Sequence, residues 1–205
     1  MSLLDYMQAK KLLDKYRIRS VDSKYVGSAE DAVRFANGRR IVLKLISEKE
    51  LHKSKAGLVK LDLDGEKEIT AAYNELLKRG KKLKPYKILA QKMAESGIEI
   101  ILGGNTDPQF GKIVLVGLGG VYVEAFKDVQ LRLCPITRAD AEDMLSELSS
   151  KNIITYNGRA SEEVISLIMK VARLISENKK IMELDLNPVI VRHDSYDVVD
   201  IRILK

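Results

Sequence analysis

DPQFGKIVLVGLGGVYVE, residues 107–124, opens on a proline turn and runs through the apolar strand Lys112–Val116 onto Gly117, Leu118, Gly119 and Gly120. Three glycines straight after a strand leave backbone N–H groups uncovered, so such a loop lets the main chain approach a phosphate or another backbone closely. The spacing is neither GxGxxG nor GxxxxGK followed by Ser or Thr. On the glycines alone, a tight strand-to-helix connection is the favoured reading, and the surrounding residues carry the rest.

On the N-terminal side, Lys87–Met93 and Ile98–Gly103 read as strands joined by a turn at Glu95–Gly97. The basic run Lys78–Lys84, followed by Pro85, reads as a solvated connection and places a lobe boundary there, giving 1–84 and 85–205. Before it, Asp64 and Gly65 turn into a helix carrying Ile69, Ala72, Tyr73, Leu76 and Leu77, ended by Gly80. Val59, Leu61 and Leu63 alternate with polar residues, as in a half-buried strand, and Ile41–Ile46 is a short buried strand. Ser28 with Asp31, and Ser2 with Asp5, each mark a helix start. On the C-terminal side, Gln130–Cys134 reads as a further strand, and Thr137 with Asp140 caps a helix striped by Ala141, Met144, Leu145 and Leu148. A helix from Ser161 carries Val164, Leu167, Ile168, Val171, Leu174 and Ile175 at core spacing. Strands Glu183–Val191 and Val198–Leu204 close the chain around a turn at His193–Tyr196.

Composition bounds the reading. The chain has 205 residues, 45% hydrophobic and 31% charged, as in an ordinary globular protein. No apolar run is long enough to span a membrane, and the N-terminus lacks a signal-peptide core, so a cytoplasmic setting is expected. Cys134 is the single cysteine, which excludes an internal disulfide and a cysteine-based zinc site. A net charge of +6 points to anionic partners without choosing among nucleotide, coenzyme A, nucleic acid or an acidic subunit.

The last hairpin holds the most informative polar pattern. Strand alternation puts Glu183, Asp185 and Asn187 on one face and leucines on the other, while Val198, Asp200 and Arg202 share a face of the partner strand. A four-residue turn sets Asn187 opposite Arg202 and Asp200 opposite Val189, so that Asp185, Asn187 and Asp200 point the same way. Two carboxylates and an amide oxygen on a rigid hairpin suit a hard cation such as Mg²⁺. The solvated face of an edge hairpin fits the same pattern equally well. Lys44, inside the apolar run Ile41–Ile46, either snorkels at a strand end or faces a phosphate-filled cleft. His52 stands among Lys53, Ser54, Lys55 and Gly57, a loop able to stabilise an anion. It is either a phosphoryl-accepting imidazole or an exposed loop histidine.

Taken in order, IVLKLIS, LHKSKAG, DPQFGKIVLVGLGGVYVEAFKDVQLRLCPIT, ELDLNPVIV and VVDIRI resemble the β subunit of ADP-forming acetyl-CoA synthetase. This is the acyl-CoA synthetase (NDP-forming) family, related to the succinyl-CoA synthetase β subunit. The resemblance implies an α+β ATP-grasp fold, two lobes with mainly antiparallel sheets and flanking helices, and ATP or ADP with Mg²⁺ lying between the lobes. Residues 1–84 become an N-terminal helix with the smaller lobe, and 85–205 the larger lobe with the metal hairpin. By the resemblance, Lys44, Lys53, Ser54, Gly57, Gln91, Glu99, Gly119 and Gly120 bind nucleotide, Asp185, Asn187 and Asp200 hold the metal, and His52 relays phosphate to a CoA-binding α subunit in an α2β2 assembly. The implied reaction is acid, CoA and ATP giving acyl-CoA, ADP and phosphate, with neither nucleic acid nor membrane as partner. Two residues depart from the family's HKSDxGG loop: Lys55 replaces Asp, and Leu58 replaces the second Gly and is expected to stiffen the loop. Other readings are an acyltransferase-type protein with weakened ligase activity and a regulatory subunit that binds nucleotide without turnover. A nucleic-acid-binding protein stands furthest off, since the chain has no RNP, KH or helix-turn-helix signature and few aromatics for stacking.

Overall fold

The computed structural model describes residues 2–47, 57–120, 128–154 and 162–205. The chain divides into two compact units, Val21–Ala94 and the combination of Met1–Ser20 with Glu95–Lys205. The lobe boundary read at Lys84–Pro85 is therefore displaced at both ends. Strand β4 (Tyr86–Lys92) completes the sheet of the smaller unit, between β1 (Ser23–Val26) and β2 (Ile41–Ser47). The turn before it is pinned to that same sheet, where Ser47 Oγ donates to the Leu83 carbonyl at 2.7 Å. The first residues belong to the larger unit because the Ser2 N–H donates to the Lys205 carbonyl at 2.7 Å and Ser20 bridges Val198. A basic run ending in proline marks a solvated connection, but it carries no information on which sheet the next strand will join.

In the smaller unit the strand order is β1-β4-β2-β3, with β3 spanning Val59–Leu63 and every pairing antiparallel. Helices α2 (Ala29–Ala36) and α3 (Gly65–Gly80) share one apolar cluster with the strands, including Ala32, Ile69, Leu76, Ile41, Leu43, Leu45, Ile88 and Ala90. Ser28 starts α2 as read from sequence, its hydroxyl accepting the Asp31 N–H at 3.2 Å. The regular alternation expected of β3 fails at Leu61, which is 62% exposed. Ile41 pairs with Leu63 but Leu43 with Lys60, so β3 holds one extra residue, with Asp62 at φ 56°. An extra residue turns the following side chains over, and period-2 reading cannot see it.

In the larger unit the sheet runs β10-β8-β5-β6-β7, built from Arg202–Leu204, Glu183–Val191, Ile98–Asp107, Gly111–Leu118 and Val129–Leu133, with the short β9 (Tyr196–Val198) also paired to β8. The DPQFG stretch is the β5–β6 hairpin turn: the Asp107 carboxylate accepts the N–H groups of Gln109 at 2.7 Å and Phe110 at 2.8 Å. Helix α1 (Tyr6–Lys15) packs against β10. Its cap is Asp5, which accepts the Met7 N–H, rather than Ser2. Helix α4 (Arg138–Glu147) starts at Thr137 with the capping box that Asp140 promised, and a short α5 (Lys151–Ile154) follows. Helix α6 (Glu162–Glu177) lays Val164, Leu167, Ile168, Val171, Leu174 and Ile175 into the core against β5 and β6. Each such side chain contributes about 1.5–3 kcal/mol on burial, which fixes one face of the sheet as the helix-covered one. Ser161, read as the start of this helix, lies outside the described residues.

Candidate functional site

Strand β2 separates two kinds of residue by alternation. Ile41, Leu43 and Leu45 enter the helix-covered core, while Val42, Lys44 and Ile46 take the opposite face. Lys44 is therefore mid-strand, not at a strand end, and it is only 5% exposed. Gln91 shares its face, since Val42 pairs with Gln91 and Lys44 with Leu89 on β4. The Gln91 amide donates to Ser23 Oγ at 3.2 Å, and that hydroxyl donates to the Val21 carbonyl at 2.9 Å, so neighbouring strands fix the glutamine in place. Lys92 takes the other face, and its Nζ donates to the Phe35 and Ala36 carbonyls at the end of α2. Burial pulls the Lys92 pKa down.

Gly57 sits at φ 64°, a left-handed backbone that favours glycine, and a Cβ there would meet the Arg79 guanidinium at 3.0 Å. Leu58 is 2% exposed within the apolar cluster of the smaller unit, and its carbonyl accepts the Leu45 N–H at 2.8 Å. This departure from the family loop is thus a core residue that anchors the end of the loop to β2. His52, Lys53 and Ser54 lie outside the described residues.

In the larger unit, Glu99 and the two glycines Gly119 and Gly120 come together. The Gly119 N–H donates to the Glu99 carbonyl at 2.7 Å, and a Cβ on Gly119 would come within 2.8 Å of the Glu99 backbone. Gly120 has φ 69°, and a Cβ there would lie 3.1 Å from Glu99 Oε2. The glycines are thus required by close approach to a carboxylate-bearing strand. Alternation carries this face along β5 from Glu99 through Ile101 to Gly103, which pairs with Asp185 on β8. Ile100 and Leu102 point to the helix-covered side.

Asn187 and Pro188 together oppose Ile101, since the β5–β8 register shifts between Ile100–Val189 and Leu102–Leu186. The shift keeps Leu184, Leu186, Val189 and Val191 on one side despite the change in spacing, and Asn187 is exposed at the bulge. The predicted hairpin register is corrected: Arg202 pairs with Asp185, and Val198 with Val189. The turn closes one residue earlier than read, with the Arg192 N–H donating to the Ser195 carbonyl at 2.8 Å. Such a change moves the pairing by two residues. The expected shared face of Val198, Asp200 and Arg202 is corrected as well: Val198 is fully buried opposite Val189 on the core side, whereas Arg202 stands opposite Asp185 on the other, with the strand broken between them. Asp200 falls in the break between β9 and β10, where its carboxylate accepts the Ile201 N–H at 3.2 Å.

Burial pushes the Asp185 carboxyl up, the charges of Glu183 and Asp200 add to this, and Arg202 opposes it. Crowded, half-buried negative charge of this kind fits a cation with oxygen preference. Among the described residues no group of three or more His, Cys, Asp or Glu is disposed to hold a metal, so any ion here would rest on Asp185, Asp200 and the Asn187 amide, completed by water or phosphate oxygens. Arg202 is the residue of this face that the sequence reading left without a role. Its place in the alternation with Asp200 was the available signal. No helix among the described residues is long and apolar enough to cross a membrane.

Comparison with known proteins matches the ATP-grasp domain family over residues 1–204. The chain is 34% identical over 209 residues to the β subunit of acetate–CoA ligase (ADP-forming) I of Pyrococcus furiosus, covering 96% of this chain and 89% of that one. Among solved structures, acetyl-coenzyme A synthetase 1 of Ca. Korarchaeum cryptofilum, in complex with coenzyme A, Ca-AMPCP and HgCl+, is 37% identical with a TM-score of 0.90, covering 98% of this chain and 93% of that one. A selenomethionine form of that synthetase, with coenzyme A and Mg-AMPPCP and its phosphohistidine segment pointing towards the nucleotide-binding site, gives 36% identity and a TM-score of 0.84, covering 98% of this chain and 92% of that one. The chain accordingly belongs to the ATP-grasp family, in its branch of β subunits of ADP-forming acetate–CoA ligases.

Proposed function

We propose that this chain is the nucleotide-binding subunit of an ADP-forming acyl-CoA ligase, converting acid, CoA and ATP to acyl-CoA, ADP and phosphate together with a CoA-binding α subunit. The observation that carries the reading is Lys44, a cation buried mid-strand on the face of its sheet turned away from the apolar core. A lysine held in mid-strand on that face, with Gln91 on the same side, directs its positive charge away from the apolar core, where an anionic ligand can meet it. Gln91 beside it, and Gly57 at the end of the adjoining loop, complete the smaller unit's contribution to nucleotide binding. Glu99, Gly119 and Gly120 supply the larger unit's contribution, a carboxylate and close-packed backbone. Asp185, Asn187 and Asp200 are the residues that would hold Mg²⁺, whose charge would offset that of the nucleotide phosphates. Lys53 and Ser54 add a cation and a hydroxyl for the phosphates, and His52 is the nucleophile: its ring nitrogen bonds to the γ-phosphorus as the bond to the ADP oxygen breaks. The similar Korarchaeum synthetase, with its phosphohistidine segment directed at the nucleotide site, supports this role. We place the assembly, an α2β2 complex, in the cytoplasm.

The test uses the chain with and without its α subunit. Calorimetry should detect Mg-ADP or Mg-ATP binding to the chain, and acyl-CoA should form only when both subunits are present. Incubation of the pair with γ-labelled ATP should leave an acid-labile, base-stable label that maps to position 52 and is absent in His52→Asn. Acyl-CoA made by the pure chain would overturn the two-subunit reading. Nucleotide binding with no label at position 52 in a productive complex would remove the relay role of His52.

A further inference from the structure

Arg202 stands on β10 directly opposite Asp185 of β8, with Glu183 two residues further along the same face. Its Nη1 lies 3.7 Å from Glu183 Oε1, beyond hydrogen-bond length, and its Nε is buried with no acceptor among the described residues. Arg192, in the same unit, shows what a locked arginine looks like. Its Nη2 lies 2.5 Å from Asp197 Oδ2, and its Nε donates to Ser195 Oγ at 3.1 Å. Arg202 is held beside its carboxylates by charge rather than by a fixed fork of hydrogen bonds. Glu183 and Asp200 add their negative charge to that of Asp185 on this part of the sheet, and Arg202 is a positive charge set against Asp185 and Glu183.

We propose that Arg202 is a resident cation that keeps the Asp185–Asp200 site from taking up a free divalent metal, so that the metal is bound only in company with nucleotide phosphate. This rests on reading that face as the cation site. A bare divalent ion arriving beside Asp185 meets the guanidinium as a like charge. An ion already bound to a polyphosphate arrives as a net anion, which the guanidinium attracts. Arg202 is then a determinant of binding order and selectivity rather than a catalytic residue.

The experiment measures Mn²⁺ binding, alone and as Mn-ADP, by water-proton relaxation on the intact chain. Arg202→Gln should bind Mn²⁺ alone at least about tenfold more tightly than the native chain. Arg202→Lys should return affinity towards the native value, and Arg202→Gln combined with Asp185→Asn should lose the gain. Affinity for Mn-ADP should not rise in parallel. If Arg202→Gln does not fold, Arg202→Met carries the same comparison, since it keeps the apolar stem. A merely structural arginine would give weaker or unchanged binding, so that result, with Mn-ADP still bound by the native chain, overturns the inference and leaves the cation-site reading standing. Absence of Mn-ADP binding to the native chain would overturn both.

Discussion

Lys44 and Lys92 stand on opposite faces of one four-stranded sheet, and their surroundings divide their roles. Lys92 closes the end of α2 by donating to two main-chain carbonyls. Lys92→Met should therefore cost about 2 kcal/mol, a fall in melting temperature of about 4–8 °C, with nucleotide affinity unchanged. Lys44 is buried on the face turned from the core. Lys44→Met should weaken Mg-ATP binding about ten- to hundredfold by calorimetry. If the two variants exchange these signatures, the assignment of the faces is wrong. Asp185 offers a test by pH. Its carboxyl is raised by burial and by Glu183 and Asp200, against Arg202. The folded state thus holds this proton more tightly than the unfolded state, and that stability is complete below the unfolded value near ~3.9 and lost as pH rises through the folded value. In metal-free buffer, Asp185→Asn should melt above the native protein at pH 7, and the gap should close as the pH falls towards about 4. A variant that melts lower at pH 7 would show the carboxylate to be a structural partner.

Among the elements, the start of β7 depends on one side chain. Asp128 accepts the N–H of Ser149 at 2.9 Å and that of Ser150 at 2.7 Å, tying the strand to the connection between α4 and α5. Burial by itself would raise its pKa, but the hydrogen bonds from Ser150 and Ser149 outweigh this and the net direction is down. Its stabilising effect is present above the unfolded carboxylate value and is lost as pH falls through the folded one. Asp128→Ala should cost about 2 kcal/mol at pH 7, with the difference from native shrinking under acid, as thermal melts across pH would show. A loss that stays constant with pH would mean that the charge is not what matters. Helix starts at Ser28 and Thr137 were legible because a cap and its partner lie three residues apart. The start at Ser2 was misread because its N–H pairs with Lys205, at the far end of the chain.

For the whole molecule, the division into Val21–Ala94 and the remainder sets a concrete expectation. A fragment of residues 21–94 holds all four strands and both helices of the smaller unit, whereas one ending at Lys84 omits β4, the strand that joins β1 to β2. The first should unfold cooperatively by circular dichroism, and residues 1–84 should not. Equal cooperativity in both would contradict the structural division.

The sequence by itself determined the family, most of the elements and the polar face that Glu183 and Asp185 share. Those features are written in local spacing: caps at three residues, stripes at helical period, alternation along Glu183–Asn187. Only the tertiary structure decided which strand joins which sheet, because that choice depends on pairing between residues far apart in the chain. The same holds for the register of the last hairpin, the bulges at Asp62 and at Asn187–Pro188, and the burial of Leu58. A bulge inserts one residue without changing composition, a shifted turn moves pairing by two, and the break between β9 and β10 puts Val198 and Arg202 on opposite faces. Arg202 gained its position opposite Asp185 from that register, through a contact that no spacing along the chain could specify.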